Sequence, residues 1–296
     1  MLAPGIKVVY TTRLGGTSEG DFAHFNLGGK SGDKPEHVLA NRKALADVLG
    51  AKISLISQVH SGDAVDVDES FVINQPFGFD VSGTKKPEDE TDGENNATGN
   101  DGEPTVIEAD GQVTSRKSVA LGMFAADCLP VLMADPEAGV IGATIEKMVS
   151  KGAQPERIVA TLGPCICGDC YEVGGDIADE FDAQFPGTFT LSRFGQPGID
   201  IAAAALQELA KAGVPADNIV SSRPRVNAAT QYLSEDEELA GICAADGEGD
   251  PKLSERFNKI RRSLCTLENP LWFSHRRASL AKKQHEGRML ALIVRE

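Results

Sequence analysis

Apolar positions recur along this chain with two different periods, which split it into a strand-rich first half and a helix-rich second half. Residues 6–11 (IKVVYT) form a short β-branched run and predict the first strand. Pro35 opens a predicted helix to about Leu49, with Val38, Leu45, Val48 and Leu49 on one face and Gly50 as its stop. Residues 53–60 and 64–67 read as two strands joined in hairpin fashion by Ser61-Gly62-Asp63. Further strands are expected at 112–114, 119–125, 131–134, 140–143, 158–162 and 289–294. Helices are expected at 144–151, 176–185, 201–212 and 252–262, the third capped by Asp200 and stopped by Gly213. Strands in hairpin-like pairs followed by clustered helices predict an α+β fold with mixed, largely antiparallel sheets. No GxGxxG or Walker loop is present, which argues against a dinucleotide or nucleoside triphosphate fold.

One junction is out of keeping with this pattern. The strand at 140–143 runs straight into the helix at 144–151, where such connections normally take about 2–6 residues. The spacing points to a lost segment between Ala143 and Thr144.

The 296 residues suit a single domain spanning 1–296, with 41% hydrophobic and 25% charged residues, close to a globular average. Residues 85–104 (KKPEDETDGENNATGNDGEP) have almost no apolar side chains to offset the entropy of ordering, so a disordered acidic insertion is expected there. A net charge of -15 argues against nucleic acid as a partner, since that requires clustered Lys and Arg. No run approaches the ~18 apolar residues of a membrane span, and the N-terminus lacks the blocks of a signal peptide. A cytoplasmic enzyme with no membrane partner is the expectation.

Candidate chemistry lies in three places. Gln58-Val59-His60 and Ala126-Asp127-Cys128 both end predicted strands, and a His and a Cys at neighbouring strand ends can form a thiolate–imidazole pair or two zinc ligands. Arg13, in a Gly-rich loop, and Arg276-Arg277, with Arg288 beyond, offer guanidinium forks for phosphate or carboxylate. Cys165, Cys167 and Cys170 form a CxCxxC cluster, but a structural zinc takes four ligands and no companion pair follows. Cys243 and Cys265 are distant in sequence, so a tight turn with buried thiols is expected instead. The remaining histidines, His24, His37, His275 and His285, are expected to be structural or exposed.

An ordered set of short motifs spans nearly the whole chain. It begins with Thr11-Thr12-Arg13-x-Gly15-Gly16, Asn26-Leu27-Gly28 and Asn41-Arg42, then Gln58-Val59-His60-Ser61-Gly62-Asp63. Ala109-Asp110, Ala126-Asp127-Cys128-Leu129-Pro130, Gly163-Pro164-Cys165 and Tyr171-Glu172-Val173 follow, and Cys265-Thr266, Phe273-Ser274-x-Arg276-Arg277 and Gly287-Arg288 end it. This set resembles the laccase-domain family, first labelled multicopper polyphenol oxidases and later described as purine nucleoside phosphorylases with adenosine deaminase side activity. The resemblance implies an α/β sandwich and a zinc held by His60, Cys128 and the His of a His-Ala-Gly motif. That motif should follow Ala143 and is absent, so metal binding and activity are expected to be weakened unless His24 or His275 substitutes. It further implies a purine nucleoside as substrate, inorganic phosphate as co-substrate, and Arg13, Asn26, Arg276 and Arg277 as substrate or phosphate ligands. Catalytic roles would fall to His60, Cys128 and Arg13. Copper-dependent phenol oxidation and a non-catalytic nucleoside-binding remnant are the alternatives. Five scattered His without an HxH pair argue against copper. The segment 221–264 is longer than the resemblance leads one to expect.

Overall fold

The computed structural model describes residues 1–71, 73 and 107–296, so the predicted acidic insertion at 85–104 lies outside the described residues. The first half runs β1 (Ile6–Tyr10), α1 (Pro35–Leu49), β2 (Lys52–Ser54), β3 (Ala64–Asp66), β4 (Gly111–Thr114), β5 (Val119–Ala125), β6 (Val131–Asp135) and β7 (Val140–Gly142). The second runs α2 (Ile145–Ser150), β8 (Val159–Leu162), α3 (Gly175–Gln184), β9 (Phe189–Leu191), β10 (Pro197–Ile199) and α4 (Ile201–Lys211). It ends with α5 (Arg223–Tyr232), α6 (Glu237–Ala245), α7 (Leu253–Lys259), α8 (His275–Leu280) and β11 (Met289–Arg295).

The α+β expectation holds. One sheet has the order β1-β11-β5-β2, a second β3-β4-β7-β6-β8, and β9-β10 form a small ribbon. Between these strands the parallel pairs are β2–β5 and β3–β4, and the other strand pairs are antiparallel. The sheets pack face to face through Ile6, Val119, Leu121, Leu132, Ile141, Ala291 and Ile293. Strand alternation puts Leu290, Leu292 and Val294 on the opposite face of β11, against Leu45 of α1. Behind the second sheet, Met148 of α2 and Leu209 of α4 pack on Val113, Met133 and Ala160. Helices thus cover both outer faces of a two-sheet sandwich.

Local signals explain most boundaries. Asp200 caps α4 by accepting from the Ala202 and Ala203 N–H groups, each at 3.0 Å. Gly50 ends α1 with φ 61°, a left-handed conformation that Gly adopts without steric penalty. Three expectations need correction. Only Lys52–Ser54 of the predicted 53–60 strand pairs as a strand, and β2 and β3 belong to different sheets rather than to a hairpin. The buried face of α1 is Val38, Asn41, Arg42 and Leu45, whereas Val48 is 85% exposed. The segment 221–264 folds into α5, α6 and α7, of which only α7 matches an expected helix. Its first two helices lack a strong apolar stripe and are held by tertiary contacts: Val226, Leu239 and Cys243 pack on Leu271, Trp272 and Phe273.

That segment also supplies carboxylates to a buried ion network. Arg13 is fully buried, with Nη1 3.1 Å from Asp246 and 3.6 Å from Glu248, and its guanidinium sits over Phe273. Glu248 also receives Arg277 at 2.7 Å and Lys283 at 3.0 Å, and Arg256 pairs with Asp246 at 2.6 Å. Burial raises the pKa of Glu248, but Arg277, Arg13 and Lys283 outweigh it and hold the group down to about 2. A folded-state value below the ordinary 4.5 stabilises the fold at higher pH and is lost as pH falls toward 2. Its size is about 3 kcal/mol at neutrality. Urea titrations across this range should show stability declining between about pH 5 and pH 2. Glu248→Gln should be less stable at neutral pH by about 3–5 kcal/mol, because it leaves buried cations unpaired, and should flatten that decline.

Candidate active site

The position of the site follows from strand direction. β2 and β5 are parallel neighbours, so their C-terminal ends emerge at the same edge of the sandwich. β11 is antiparallel to β5, with Met289 opposite Ala125, so Arg288 enters at that edge too. β5 ends at Ala125, and the chain crosses through Asp127 and Cys128 to start β6 in the other sheet. Beyond β2, Gln58 fastens its extended segment to β5: its Oε1 accepts from Phe124 N–H at 2.7 Å and its Nε2 donates to Phe124 O at 3.2 Å. His60 and Cys128 therefore meet in one cleft of about 780 Å³.

Both positions are held in left-handed backbone conformations unusual for non-Gly residues, His60 at φ 60° and Asp127 at φ 93°. The His60 turn wraps the Asp110 carboxylate, which accepts from Ser61 N–H at 2.6 Å, Val59 N–H at 3.3 Å and Ser61 Oγ at 3.1 Å. Partial burial raises the Asp110 pKa, but donors from Ser61, His60 and Val59 prevail and keep it below the ordinary range. The Asp127 carboxylate accepts from the Arg276 N–H at 2.6 Å and from the Thr266 hydroxyl, tying the Cys128 turn to the 266–276 stretch. Ile166 N–H donates to Asp127 O at 3.0 Å and draws the loop after β8 into the cleft wall. At Gly163 that loop passes so close that a Cβ would lie 2.6 Å from Pro130.

Cys128 opens onto the cleft. Desolvation by the walls, then the Asp127 charge, pushes its thiol pKa up, and Arg288 opposes this. Arg276 lines the cleft, its guanidinium 5.5 Å from the Tyr171 ring centroid and donating to Glu172 O at 2.8 Å. Arg288 and Lys30 also line it, Arg288 paired with Glu286 at 2.6 Å and Lys30 with the Ser57 hydroxyl.

Other sequence candidates lie outside the cleft lining. Arg13 is engaged in the buried ion network, so its guanidinium is not offered to a phosphate there. Arg277 is likewise buried, on Glu248 and the carbonyl of Trp272 at 2.6 Å. Asn26 is fully buried and acts on backbone: its Oδ1 accepts from Arg288 N–H at 2.8 Å and Gly28 N–H at 3.0 Å. It thereby sets the position of two cleft residues without touching the cleft itself. Lys30, Phe124 and Tyr171 line the cleft and were not singled out in the sequence for binding. The available signal for Arg288 is its place one residue before a strand antiparallel to β5.

A catalytic zinc takes three protein donors and leaves one position open. Among the described residues, no group of three His, Cys, Asp or Glu donors close enough to share an ion includes His60 or Cys128. The two named substitutes do not complete it: His24 is bound to Glu238 at 2.7 Å outside the cleft, and His275 lines the cleft, its Nδ1 3.0 Å from Glu286, but forms no group within ion-sharing distance with His60 and Cys128. Where the third donor was expected, Ala143 and Thr144 alone join β7 to α2, and the Thr144 hydroxyl is buried without a hydrogen-bond partner. The residues present do not fit the implied zinc.

An imidazole, a thiol and two guanidiniums thus line one partly apolar cleft. The chain belongs to the family described as multi-copper polyphenol oxidoreductase laccase, which it matches over residues 7–234. It is 34% identical over 223 residues to the purine nucleoside phosphorylase ORF3 of Streptomyces griseus, covering 69% of this chain and 79% of that protein. It is 29% identical over 241 residues to the adenosine deaminase RL5 of an unknown prokaryotic organism, covering 74% and 83%. The crystal structure of the Bacillus licheniformis hypothetical protein YfiH shares the fold, with a TM-score of 0.68, 24% identity and coverage of 98% and 93%.

The Cys128 pKa generates a direct expectation. Because alkylation proceeds through the thiolate, Cys128 should react with iodoacetamide more slowly at neutral pH than an unperturbed thiol, its rate climbing with pH. Arg288→Gln removes the cation that favours the thiolate and should slow the reaction further, read by peptide mass spectrometry. Faster alkylation in that variant would contradict the electrostatics described here.

Proposed function

We propose that the cleft binds a purine nucleoside and that the protein is a phosphorylase of purine nucleosides, with adenosine deamination as a side activity, working below full capacity. The observation that carries this reading is the convergence of His60, Cys128, Arg276 and Arg288 on one cleft in a chain of this family. In phosphorolysis an oxygen of orthophosphate bonds to the anomeric carbon of ribose while the bond to the purine nitrogen breaks. The products are ribose 1-phosphate and the free base. Arg276 and Arg288, with Lys30 beside them, would neutralise and orient the phosphate. The Tyr171 and Phe124 side chains, which line the cleft, would offer apolar surface to the base, and His60 would hold a proton at a ring nitrogen of the leaving purine. Arg13 and Arg277 would support this arrangement from the buried network rather than touch substrate.

A second reading, a nucleoside-binding protein without turnover, is favoured by the incomplete donor set around His60 and Cys128. One assay separates the two: adenosine and inosine are incubated with the protein and phosphate, with and without added zinc, and products are resolved by chromatography. Slow formation of adenine or hypoxanthine that needs phosphate is expected. Arg276→Ala should raise the phosphate KM by about ten- to a hundredfold, the usual consequence of losing a hydrogen bond to a charged group. Calorimetric binding of nucleoside without product at high protein concentration would establish the second reading. Neither binding nor product would remove both, and oxygen uptake with a phenol and copper would support the oxidase reading instead.

A further inference from the structure

The CxCxxC turn acquires in three dimensions the partners that it lacks in sequence. Cys165 and Cys265 form a parallel bridge, with Cys165 N–H donating to Leu264 O at 3.1 Å and Thr266 N–H to Cys165 O at 3.0 Å. This pairing brings Cys265 to the Cys167-Gly168-Asp169-Cys170 turn, a CxxC spacing characteristic of structural zinc sites. The sulfurs of Cys167, Cys170 and Cys265 and a carboxylate oxygen of Glu268 all lie within 4.8 Å of one another. Donors on a tetrahedral zinc, at ~2.3 Å for sulfur, stand about 3.5–3.8 Å apart, so the group closes on an ion with shifts of about 1 Å.

We propose that Cys167, Cys170, Cys265 and Glu268 form a structural site for a soft divalent cation, zinc, separate from the His60–Cys128 cleft. None of the four lines that cleft. The surroundings match what a thiolate-rich centre requires. Cys167 N–H donates to the Cys265 sulfur at 3.5 Å, and the turn is closed by Cys170 and Tyr171 N–H groups on Cys167 O, each at 2.9 Å. Glu268 is fixed by a second set of bonds, as ligating carboxylates are. Its Oε2 accepts from Arg261 and Arg262 N–H at 2.7 and 2.8 Å, and its Oε1 accepts from Arg193 at 3.0 Å and lies 3.6 Å from the Cys170 sulfur. Cys170 and Cys265 are each 1% exposed, where unpaired thiolates are costly and a bound cation would compensate them. Glu268 also lines a second cleft of about 340 Å³, which gives the ion a route from solvent.

A cation here would staple the loop after β8 to the 261–268 stretch. The first carries Ile166 and Tyr171 of the cleft wall, and the second carries Thr266, which holds Asp127 beside Cys128. The site therefore braces the cleft from behind without taking part in its chemistry, and it does not depend on the activity proposed above.

The test uses the full-length reduced chain stripped with a chelator and titrated with cobalt(II). Uptake of one cobalt per chain with the charge-transfer absorption of thiolate ligation is expected, followed by its displacement by zinc. Cys170→Ser and Cys265→Ser should lose that absorption, and Glu268→Gln should keep it with about tenfold or greater loss of affinity. His60→Ala and Cys128→Ser should retain it, which separates this site from the cleft. Zinc should raise the Tm of the unaltered chain, a readout independent of how well the variants fold. Absence of thiolate absorption in the unaltered chain would overturn the proposal. So would absorption that survives Cys265→Ser but vanishes in Cys128→Ser, or a disulfide among the three cysteines in the freshly isolated protein.

Discussion

The candidate site depends on one carboxylate more than on any other group. Asp127 stands where β5 ends and the chain changes sheets, in a backbone conformation that an L residue rarely adopts. Its two oxygens take the Thr266 hydroxyl and the Arg276 N–H, and its own carbonyl takes the Ile166 N–H. Two segments remote in sequence, the loop after β8 and the 266–276 stretch, are thereby fastened to the residue before Cys128. A neutral apolar side chain at this point would leave the Thr266 hydroxyl and the Arg276 N–H without their partner, and buried donors so orphaned cost about 1–3 kcal/mol apiece.

Around that clasp the molecule separates two kinds of arginine. Arg13 and Arg277 are enclosed with Asp246 and Glu248, where desolvation makes each charge dependent on the other. Arg276 and Arg288 line the cleft, Arg276 on the Glu172 carbonyl and the Tyr171 ring, Arg288 on the Glu286 carboxylate. Arg13 and Arg277 belong to motifs of the family yet sit behind the cleft, so motif membership does not imply contact with substrate.

The metal chemistry divides in the same way. The cleft offers His60 and Cys128 but, among the described residues, no third donor close enough to share an ion with them, and the β7–α2 link is two residues long at the place where a third was expected. The thiols of the 165–170 turn instead find their company in Cys265 and Glu268. The close donor group among the described residues thus lies in the thiol cluster behind the cleft rather than in the cleft itself.

Much of the architecture was legible in the residues alone. Short continuous apolar runs mark β5, β6 and β11, Pro35 and Gly50 bound α1, and Asp200 announces α4, because each of these signals acts over a few neighbouring residues. His60 and Cys128, singled out in the sequence as expected strand ends, line the same cleft although His60 lies beyond the end of β2, and the short β7–α2 link stood out in the spacing. Strand register and charge partnership were not legible. That Cys265 meets the CxxC turn, that residues 55–60 leave the sheet, and that Arg13 is buried by carboxylates more than 230 positions away are consequences of packing. They depend on which surfaces meet after the sheets close, and local propensity carries no record of contacts made across that distance.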